Sequence, residues 1–231
     1  MKKVAILQSD YIPWKGYFDI INMVDEFILY DDVQYTRNDW RNRNQIKTAN
    51  GVQWITIPVF TSSKFGQNIN ETKTSNPKWS VKHLKTLKQC YAKAPYFKEY
   101  EPVLEELYQK AGQLEYLSQI NYLFLTEICK LLGIDTRISW STDYDSVEGQ
   151  TERLASLVHA VGGDYYLSGP SAQSYIKNEV FEGAGIQLEY MDYTGYPEYP
   201  QLHGDFEHAV SILDLLFMTG PDAPRFMKSF G

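Results

Sequence analysis

The chain has 231 residues, of which 43% are hydrophobic and 15% aromatic, and its formal net charge is −7. This composition supplies one sizeable core and excludes a disordered chain, and no stretch approaches the roughly 18 to 20 apolar residues of a membrane helix. Because the two cysteines form neither a disulfide framework nor a CxxC pair, and the N-terminal apolar run is too brief for a secretory signal, we expect a cytoplasmic protein.

The first part of the chain predicts strands of a parallel sheet. KVAILQ at residues 3–8 and EFILYD at 26–31 are apolar runs typical of buried strands, with a short helix between them. Strand, helix and strand in this order open an α/β unit. QWITIPV at 53–59 predicts a third strand, placed near an edge by Pro58, and residues 69–73 are a candidate for a fourth.

Three helices are predicted next, at residues 77–94, 100–110 and 114–132. Proline and glycine separate or end them, as is usual at helix boundaries. We expect residues 76–133 to form a mostly helical subdomain. The whole chain, residues 1–231, is then a single α/β domain.

The last part of the chain returns to alternating strands and helices. We therefore expect an α/β fold with a parallel-sheet, Rossmann-like core and a mostly helical insertion. The predicted strands are 136–140, 164–168 and 186–191, and the predicted helices are 151–161 and 209–218.

Polar side chains follow each of the first two predicted strands. Because ligands of open parallel sheets bind at the carboxyl ends of the strands, we expect both groups to face one crevice. Gly16 would let the backbone of the first helix approach a ligand, and the N-terminus of that helix favours an anion. The residues after the strands are Gln8, Asp10 and Tyr11, and then Asp31, Asp32 and Gln34.

Arginine and asparagine are concentrated between the second and third predicted strands. Arginine binds phosphate and carboxylate oxygens in pairs, and asparagine offers hydrogen bonds to sugar hydroxyls or a base. One interpretation is a ligand site, and the other is a loop whose arginines pair with Asp31, Asp32 and Asp39. The candidate ligand-binding residues are Arg37, Arg41, Asn42, Arg43, Asn44 and Lys47.

Asp32 and His83 are the candidate catalytic residues, each as a proton acceptor. Asp31 and Asp32 are adjacent at a strand end, where side chains alternate, so at most one should face the crevice directly. The structural alternative is a carboxylate pair held by nearby arginines. No HExxH motif and no Cys/His cluster occurs, so the sequence indicates no zinc site and names no cofactor.

A second strand-to-loop segment, DYYLSGPSAQSYI, presents small polar groups to the same edge of the sheet. We expect Ser168, Gly169 and Ser171 to clamp a phosphate or another part of the substrate. A serine nucleophile is not indicated, because the GxSxG pattern is absent. YPEYPQ at 196–201 predicts a lid or wall near the site, or else a packed aromatic loop.

Positive charge is concentrated in one part of this acidic chain. Residues 36–98 carry 12 basic side chains against two acidic ones, whereas residues 136–208 carry 3 against 12. This pattern predicts one anion-facing surface, not a general nucleic-acid-binding domain. In the first helix of the insertion, one predicted face holds Lys78, Lys82, Lys85 and Lys93, and the opposite face holds Val81, Leu84, Leu87 and Tyr91.

Several of these motifs together resemble the WbqC-like protein family along nearly the whole chain. They are QSDYIPWKGYFDII, DEFILYDDVQYTRNDWRNRNQIK, WITIPV, YYLSGPSAQSYI, the YPEYPQ loop and SILDLLFMTG. One position departs from the pattern, because residue 9 is serine where the family motif has proline after Gln8. The polar groups of the first motif are retained.

The resemblance implies a cytoplasmic protein that acts with bacterial surface-polysaccharide or sugar-modification enzymes. It implies modification of an activated amino sugar, with transfer of a glycyl or similar aminoacyl group as the proposed reaction. A looser similarity is to the nucleotide-binding fold of nucleotidylyltransferases. Their HxGH signature is missing here, which disfavours adenylation by that route.

These observations leave three hypotheses. The first is an acyl or aminoacyl transferase whose arginines hold the diphosphate of a nucleotide-linked amino sugar, or of another phosphorylated small molecule. The second is a non-catalytic binding or scaffold protein of a polysaccharide-assembly complex. The third is a transferase whose aminoacyl donor arrives on tRNA, with residues 78–93 contacting phosphates, which the net charge of −7 disfavours.

Overall fold

Seven short strands form two sheets in the part of the chain that the structure describes. A computed structural model of the protein describes residues 1–61 and 66–231. The larger sheet has the order β5-β2-β1-β6-β7, and every neighbouring pair in it is parallel. The smaller sheet is an antiparallel hairpin of β3 and β4. The strands are β1 (Lys3–Leu7), β2 (Glu26–Leu29), β3 (Arg43–Thr48), β4 (Gly51–Thr56), β5 (Arg137–Trp140), β6 (Tyr165–Ser168) and β7 (Gln187–Tyr190).

Helices cover both faces of the parallel sheet. Alternate side chains of β1 contribute to two separate cores, with Ala5 in one and Val4 and Ile6 in the other. The first core also takes side chains from α1, α2, α3, α4 and α7, and the second takes them from α5 and α6. The helices are α1 (Lys15–Asn22), α2 (Trp79–Tyr91), α3 (Phe97–Ala111), α4 (Leu117–Leu132), α5 (Gln150–Ala160), α6 (Asn178–Gly183) and α7 (Ile212–Thr219).

This architecture confirms the predicted α/β class. β1 and β2 are continuous apolar runs because a parallel strand covered on both faces has no solvent side. The helices of the insertion lie between β4 and β5 in the chain, and they share the first core with the sheet. None of the helices in the described part of the chain has the length and apolar character needed to cross a bilayer.

Three predictions about the middle of the chain are corrected by the structure. Residues 69–73 do not form a strand, because Ile69–Glu71 is a short 3₁₀ turn in which Glu71 accepts a hydrogen bond from the Asn68 backbone. The arginine and asparagine cluster is not only a loop, because its second half is β3. The third predicted strand, 53–59, begins earlier, at Gly51, and belongs to the hairpin instead of the parallel sheet.

The helix α2 also differs from its predicted faces. Leu87 and Tyr91 are buried as expected, but Val81 is 70% exposed. The buried side of α2 is set by Trp79, His83 and Leu87, which follow one another at helical spacing. The surface of α2 therefore carries an apolar side chain among its lysines.

Residues 191–211, which we call the wall loop, connect β7 to α7 without a helix or strand. Two buried carboxylates hold it. Asp19 of α1 accepts a hydrogen bond of 2.5 Å from the Tyr196 hydroxyl, and Asp214 of α7 accepts one of 2.9 Å from the Tyr199 hydroxyl. Asp214 also accepts a bond from Tyr91 of α2, so the same carboxylate joins the wall loop to the insertion.

Replacing Tyr196 with phenylalanine tests this anchoring. We expect Tyr196→Phe to lower the free energy of unfolding by about 1.5–3 kcal/mol, the range for a hydrogen bond to a charged group. Urea denaturation measures the change. Tyr193→Phe is the matched control, since both rings contact Trp14 but the Tyr193 hydroxyl bonds to no described residue. Equal losses in the two variants would contradict the role of Asp19.

Candidate functional site

An aromatic cavity opens where β1 ends. Its volume is about 570 Å³, which is within the range of about 300–1,000 Å³ that is usual for small-molecule sites. The loop after β1 forms one side of it, and the wall loop after β7 forms another. The lining residues are Asp10, Pro13, Trp14, Trp40, Asn44, Tyr193, Gly195, Tyr196, His208 and Ala209.

The fold places this cavity beside the point where strands are added in opposite directions. From β1 the chain proceeds to β2 and later β5 on one side, and then returns to β6 and β7 on the other. Ligands of open parallel sheets bind at the carboxyl ends of the strands near such a point. Asp10, two residues beyond Gln8, is the acidic side chain that the loop after β1 contributes to the cavity.

Asp10 is a partly desolvated carboxylate. Its side chain is 14% exposed and forms an ion pair with Arg41. Burial raises the pKa of Asp10 to about 6, although Arg41 acts in the opposite direction. A carboxyl group with this pKa accepts a proton more readily than an ordinary aspartate, and it is still largely ionised at neutral pH.

Arg41 is the centre of a hydrogen-bond network around Asp10. Its guanidinium also donates to the Gln8 carbonyl at 3.2 Å and lies 3.7 Å from the Asp39 carboxylate. The Asn121 side chain of α4 donates to the Arg41 carbonyl at 2.9 Å. Asp10 and Asp39 therefore balance the charge of Arg41. Arg41 holds Asp10 in place, and it is less available to an external anion than an arginine without carboxylate partners.

Trp14 and Lys15 connect α1 to the wall loop. The Trp14 ring lies 5.1 Å from that of Tyr193 and 5.5 Å from that of Tyr196. The buried Lys15 ammonium lies 5.0 Å from the Tyr196 ring and donates to the Pro197 carbonyl. Burial lowers the pKa of Lys15 to about 8. These contacts fix the aromatic wall of the cavity against α1.

Gly16 has a structural role that the sequence did not predict. It is buried in the first turn of α1, under the Trp14 indole, and an added Cβ would lie 2.3 Å from that ring. The missing side chain therefore makes room for an aromatic wall residue. A direct approach of the Gly16 backbone to a ligand stays a prediction.

Asp31 and Asp32 line a second cavity, not the one that holds Asp10. This polar cavity, of about 970 Å³, also contains Asn70, Ser118 and Trp140 in its wall. The expectation of one common crevice is therefore wrong. Both residues line the cavity, and β2 ends at Leu29, so strand alternation does not govern them. The Asp31 side chain is buried, whereas the Asp32 side chain is partly exposed.

Each of these two carboxylates already has polar partners. Asp31 is buried and accepts bonds from the Ser9 amide and hydroxyl, at 2.8 and 2.7 Å, and from the Ser118 hydroxyl. Burial raises the pKa of Asp31. Asp32 accepts a bond of 2.6 Å from Ser141 and pairs with Arg153 of α5, not with the arginines of the cluster.

The structure does not bring His83 to either cavity. Its ring is buried, with one nitrogen 3.0 Å from the Tyr11 hydroxyl and the other 3.1 Å from the Thr56 carbonyl. Burial lowers the pKa of His83 to about 4. Tyr11 is buried too, and its hydroxyl lies 2.7 Å from that of Tyr108. Both side chains belong to the core between α2, α3 and β4.

The side chains of the other residues of the arginine and asparagine cluster lie in different parts of the structure. Asn44 lines the aromatic cavity and donates to the Tyr11 carbonyl, whereas Asn42 is buried and donates to Ile57. Lys47 is buried under the wall loop, where it donates to Gln201 at 3.2 Å. Gln34 and Arg37 line another pocket, of about 390 Å³, which shares Gly66 and Gln67 with the polar cavity.

The loop after β6 contributes no lining residue to the aromatic cavity. Ser168 is buried, with its hydroxyl 3.4 Å from that of Tyr166. Gly169 has an ordinary φ of −72°, and a Cβ there would contact nothing within 4 Å. Ser171 is exposed in the 3₁₀ turn Pro170–Ser174. A clamp formed by these three residues stays a prediction.

Sequence reasoning missed most of the aromatic wall. Asp10 was recognised as a polar residue after the first strand, but not as the candidate base. Its signal was its position at the end of β1, within the dense motif that also contains Trp14. Tyr196 does line the cavity, in agreement with the predicted lid or wall.

In the described residues, no group of three or more His, Cys, Asp or Glu side chains could hold a metal ion.

Comparison with known proteins places the chain in a family. The chain matches the sequence model of the WbqC-like protein family over residues 8–226. This range includes the lining residues of both cavities. It is 50% identical to "Uncharacterized protein Rv1507c" of Mycobacterium tuberculosis over 228 residues, which cover 99% of this chain and 98% of that protein. No solved structure is significantly similar to it. The chain belongs to the WbqC-like protein family.

Proposed function

We propose that the protein is a transferase that attaches an acyl or aminoacyl group, such as glycyl, to the amine of a nucleotide-linked amino sugar. The observation that carries this proposal is Asp10, a carboxylate with a raised pKa in the wall of an aromatic cavity. The resemblance to the family supports a wider role in surface-polysaccharide biosynthesis in the cytoplasm, which is part of the same proposal.

The walls of the aromatic cavity fit an amino sugar. Indole and phenol rings pack against the apolar faces of small ligands, while a few placed polar groups fix their orientation. Trp14, Tyr193 and Tyr196 supply the rings, and Asn44 and Asp10 supply polar groups. A carboxylate among aromatic rings also favours an ammonium group, which is the resting form of a sugar amine.

Asp10 would act as the general base. An amine attacks a carbonyl only in its neutral form, so the ammonium group must first lose a proton. Asp10 would accept that proton, and the neutral nitrogen would then form a bond to the acyl carbon. The bond from that carbon to the leaving group would break, and the leaving group would take the electron pair and the second proton from the nitrogen. Arg41 and Asp39 would keep Asp10 oriented. This role replaces Asp32 and His83 as the first choice of base, because neither lines this cavity.

The position of the cavity supports ligand binding at the carboxyl ends of the strands, as in Rossmann-like sheets. It lies at the carboxyl end of β1, beside the change in direction of strand addition. In such sheets the ligand is held by loops, while the strands keep those loops in register. The loop after β1 and the wall loop would have this function here.

A binding panel followed by a transfer assay tests the proposal. Thermal shift with UDP- and dTDP-linked amino sugars identifies the acceptor, since a ligand at about 100 times its Kd adds roughly 2.7 kcal/mol of stability. Mass spectrometry then detects acylation of the amine with glycyl and acetyl donors. Binding without acylation by any donor would favour the alternative, a non-catalytic protein of a polysaccharide-assembly complex.

Asp10→Asn should lower the rate of transfer about 10²- to 10⁴-fold, the usual contribution of a general base. The wild-type rate should rise as the pH increases through about 6, because Asp10 must be ionised to accept a proton. Rate measurements from pH 5 to 8 check both effects. Asp32→Asn is the matched control, and an equal loss in that variant would contradict the assignment to Asp10.

The stability of the wild type should depend on pH in the opposite sense to its rate, because it should fall as Asp10 ionises. The folded-state pKa of Asp10, about 6, lies above the ordinary value of 3.8, so ionisation opposes folding at neutral pH. We expect Asp10→Asn to raise the Tm at pH 8 by at least about 2–4 °C, the shift for 1 kcal/mol in a chain of this size. The gain should shrink as the pH falls from 6 towards 4. A lower Tm at pH 8 would show that pairing with Arg41 outweighs desolvation.

A further inference from the structure

We propose that the surface formed by Arg43 and Trp54 of the β3–β4 hairpin and by the neighbouring Trp40 binds the nucleoside diphosphate part of the substrate. The two indoles would stack with the base, and Arg43 would bind a phosphate. We call these three residues the indole platform. This inference rests on the proposed function, because it assigns the part of a nucleotide-linked sugar that the aromatic cavity does not hold.

The indole platform is an exposed aromatic surface. Trp40 and Trp54 are each 38% exposed, and their ring centroids lie 5.0 Å apart at an angle of 43°. Tryptophan is normally among the more buried residue types, so two neighbouring exposed indoles mark a binding surface. Aromatic side chains stack with nucleobases of any identity, because every base has a π face.

Arg43 gives this surface an available positive charge. Its guanidinium lies over the Trp54 ring, 4.1 Å from the centroid, and donates to the Asn38 carbonyl. It forms no ion pair with a carboxylate of the described residues, and residues 62–65 contain no acidic side chain. Arg41, by contrast, is balanced by Asp10 and Asp39. Of these two arginines, Arg43 is therefore the better ligand for a phosphate.

The indole platform is continuous with the aromatic cavity. Trp40 lines the cavity and also contacts Trp54, so it belongs to both surfaces. The register of the hairpin places Arg43 diagonally across from Trp54, because Arg43 pairs with Thr56 and Gln45 pairs with Trp54. A ligand with a sugar in the cavity and an anionic, aromatic group outside it fits the order of these residues. In a nucleoside diphosphate sugar, the diphosphate and the base both lie beyond the sugar, so both would lie outside the cavity.

Binding measurements with separate parts of the ligand test the inference. The probes are UDP, dTDP and GDP, their nucleosides and free glucosamine, measured by calorimetry with wild type, Trp54→Leu and Arg43→Met. For at least one nucleotide we expect Trp54→Leu to raise the Kd about 5- to 150-fold, since stacking contributes roughly 1–3 kcal/mol per base. Arg43→Met should weaken the diphosphate but not the nucleoside, and neither variant should change the affinity for glucosamine.

Two further variants control for folding. Trp54→Phe keeps an aromatic ring and should restore most of the affinity for the nucleotide. Val52→Ala removes an exposed apolar side chain two residues away on β4 and should leave the Kd unchanged. The inference is overturned if no probe nucleotide binds to the wild type, or if the Kd is the same in Trp54→Leu. Nucleotide binding that depends on Trp54, without acyl transfer by any donor, would uphold the inference and overturn the proposed transferase.

Discussion

Hydrogen bonds to two buried carboxylates, Asp19 and Asp214, hold the wall loop against the helices. A long segment without regular structure must find partners for its polar groups if it is to be buried. Here the Tyr196 and Tyr199 hydroxyls supply such bonds, and the rings that carry them pack on Trp14 and on Lys15 of α1. The aromatic cavity exists because this loop is fixed, since Tyr193, Gly195 and Tyr196 are part of its wall.

The site combines two kinds of acidic group. Asp19 and Asp31 are satisfied by several neutral donors and serve the structure, although Asp31 also lines the polar cavity. Asp10 depends mainly on Arg41 and remains partly desolvated, which makes its ionisation costly in the folded state. Residues that are unfavourable for stability are typical of functional sites. Burial therefore accompanies a full set of hydrogen-bond donors at Asp19, whereas at Asp10 it raises the pKa of a carboxyl group that lines the aromatic cavity.

The sequence predicted the central sheet well because its strands are continuous apolar runs. The hairpin was harder to see, since β3 carries arginine, asparagine and lysine and has no apolar alternation. Its side chains are held instead by distant partners, such as Gln201 for Lys47 and Trp54 for Arg43. Pairings of this kind, including Asp32 with Arg153, join residues far apart in the chain and leave no local pattern. For the same reason, the separation of Asp10 from Asp31 into two cavities required the three-dimensional structure.

The contact between Gly16 and Trp14 has a consequence for the shape of the aromatic cavity. Because a methyl group at position 16 would overlap the indole, the ring can keep its place only while that position is glycine. Alanine there would displace the indole, and the cavity would change shape without a substitution in any residue that lines it. Position 16 therefore controls the shape of the cavity although it contributes no side chain to its wall, and a survey limited to lining residues would overlook it.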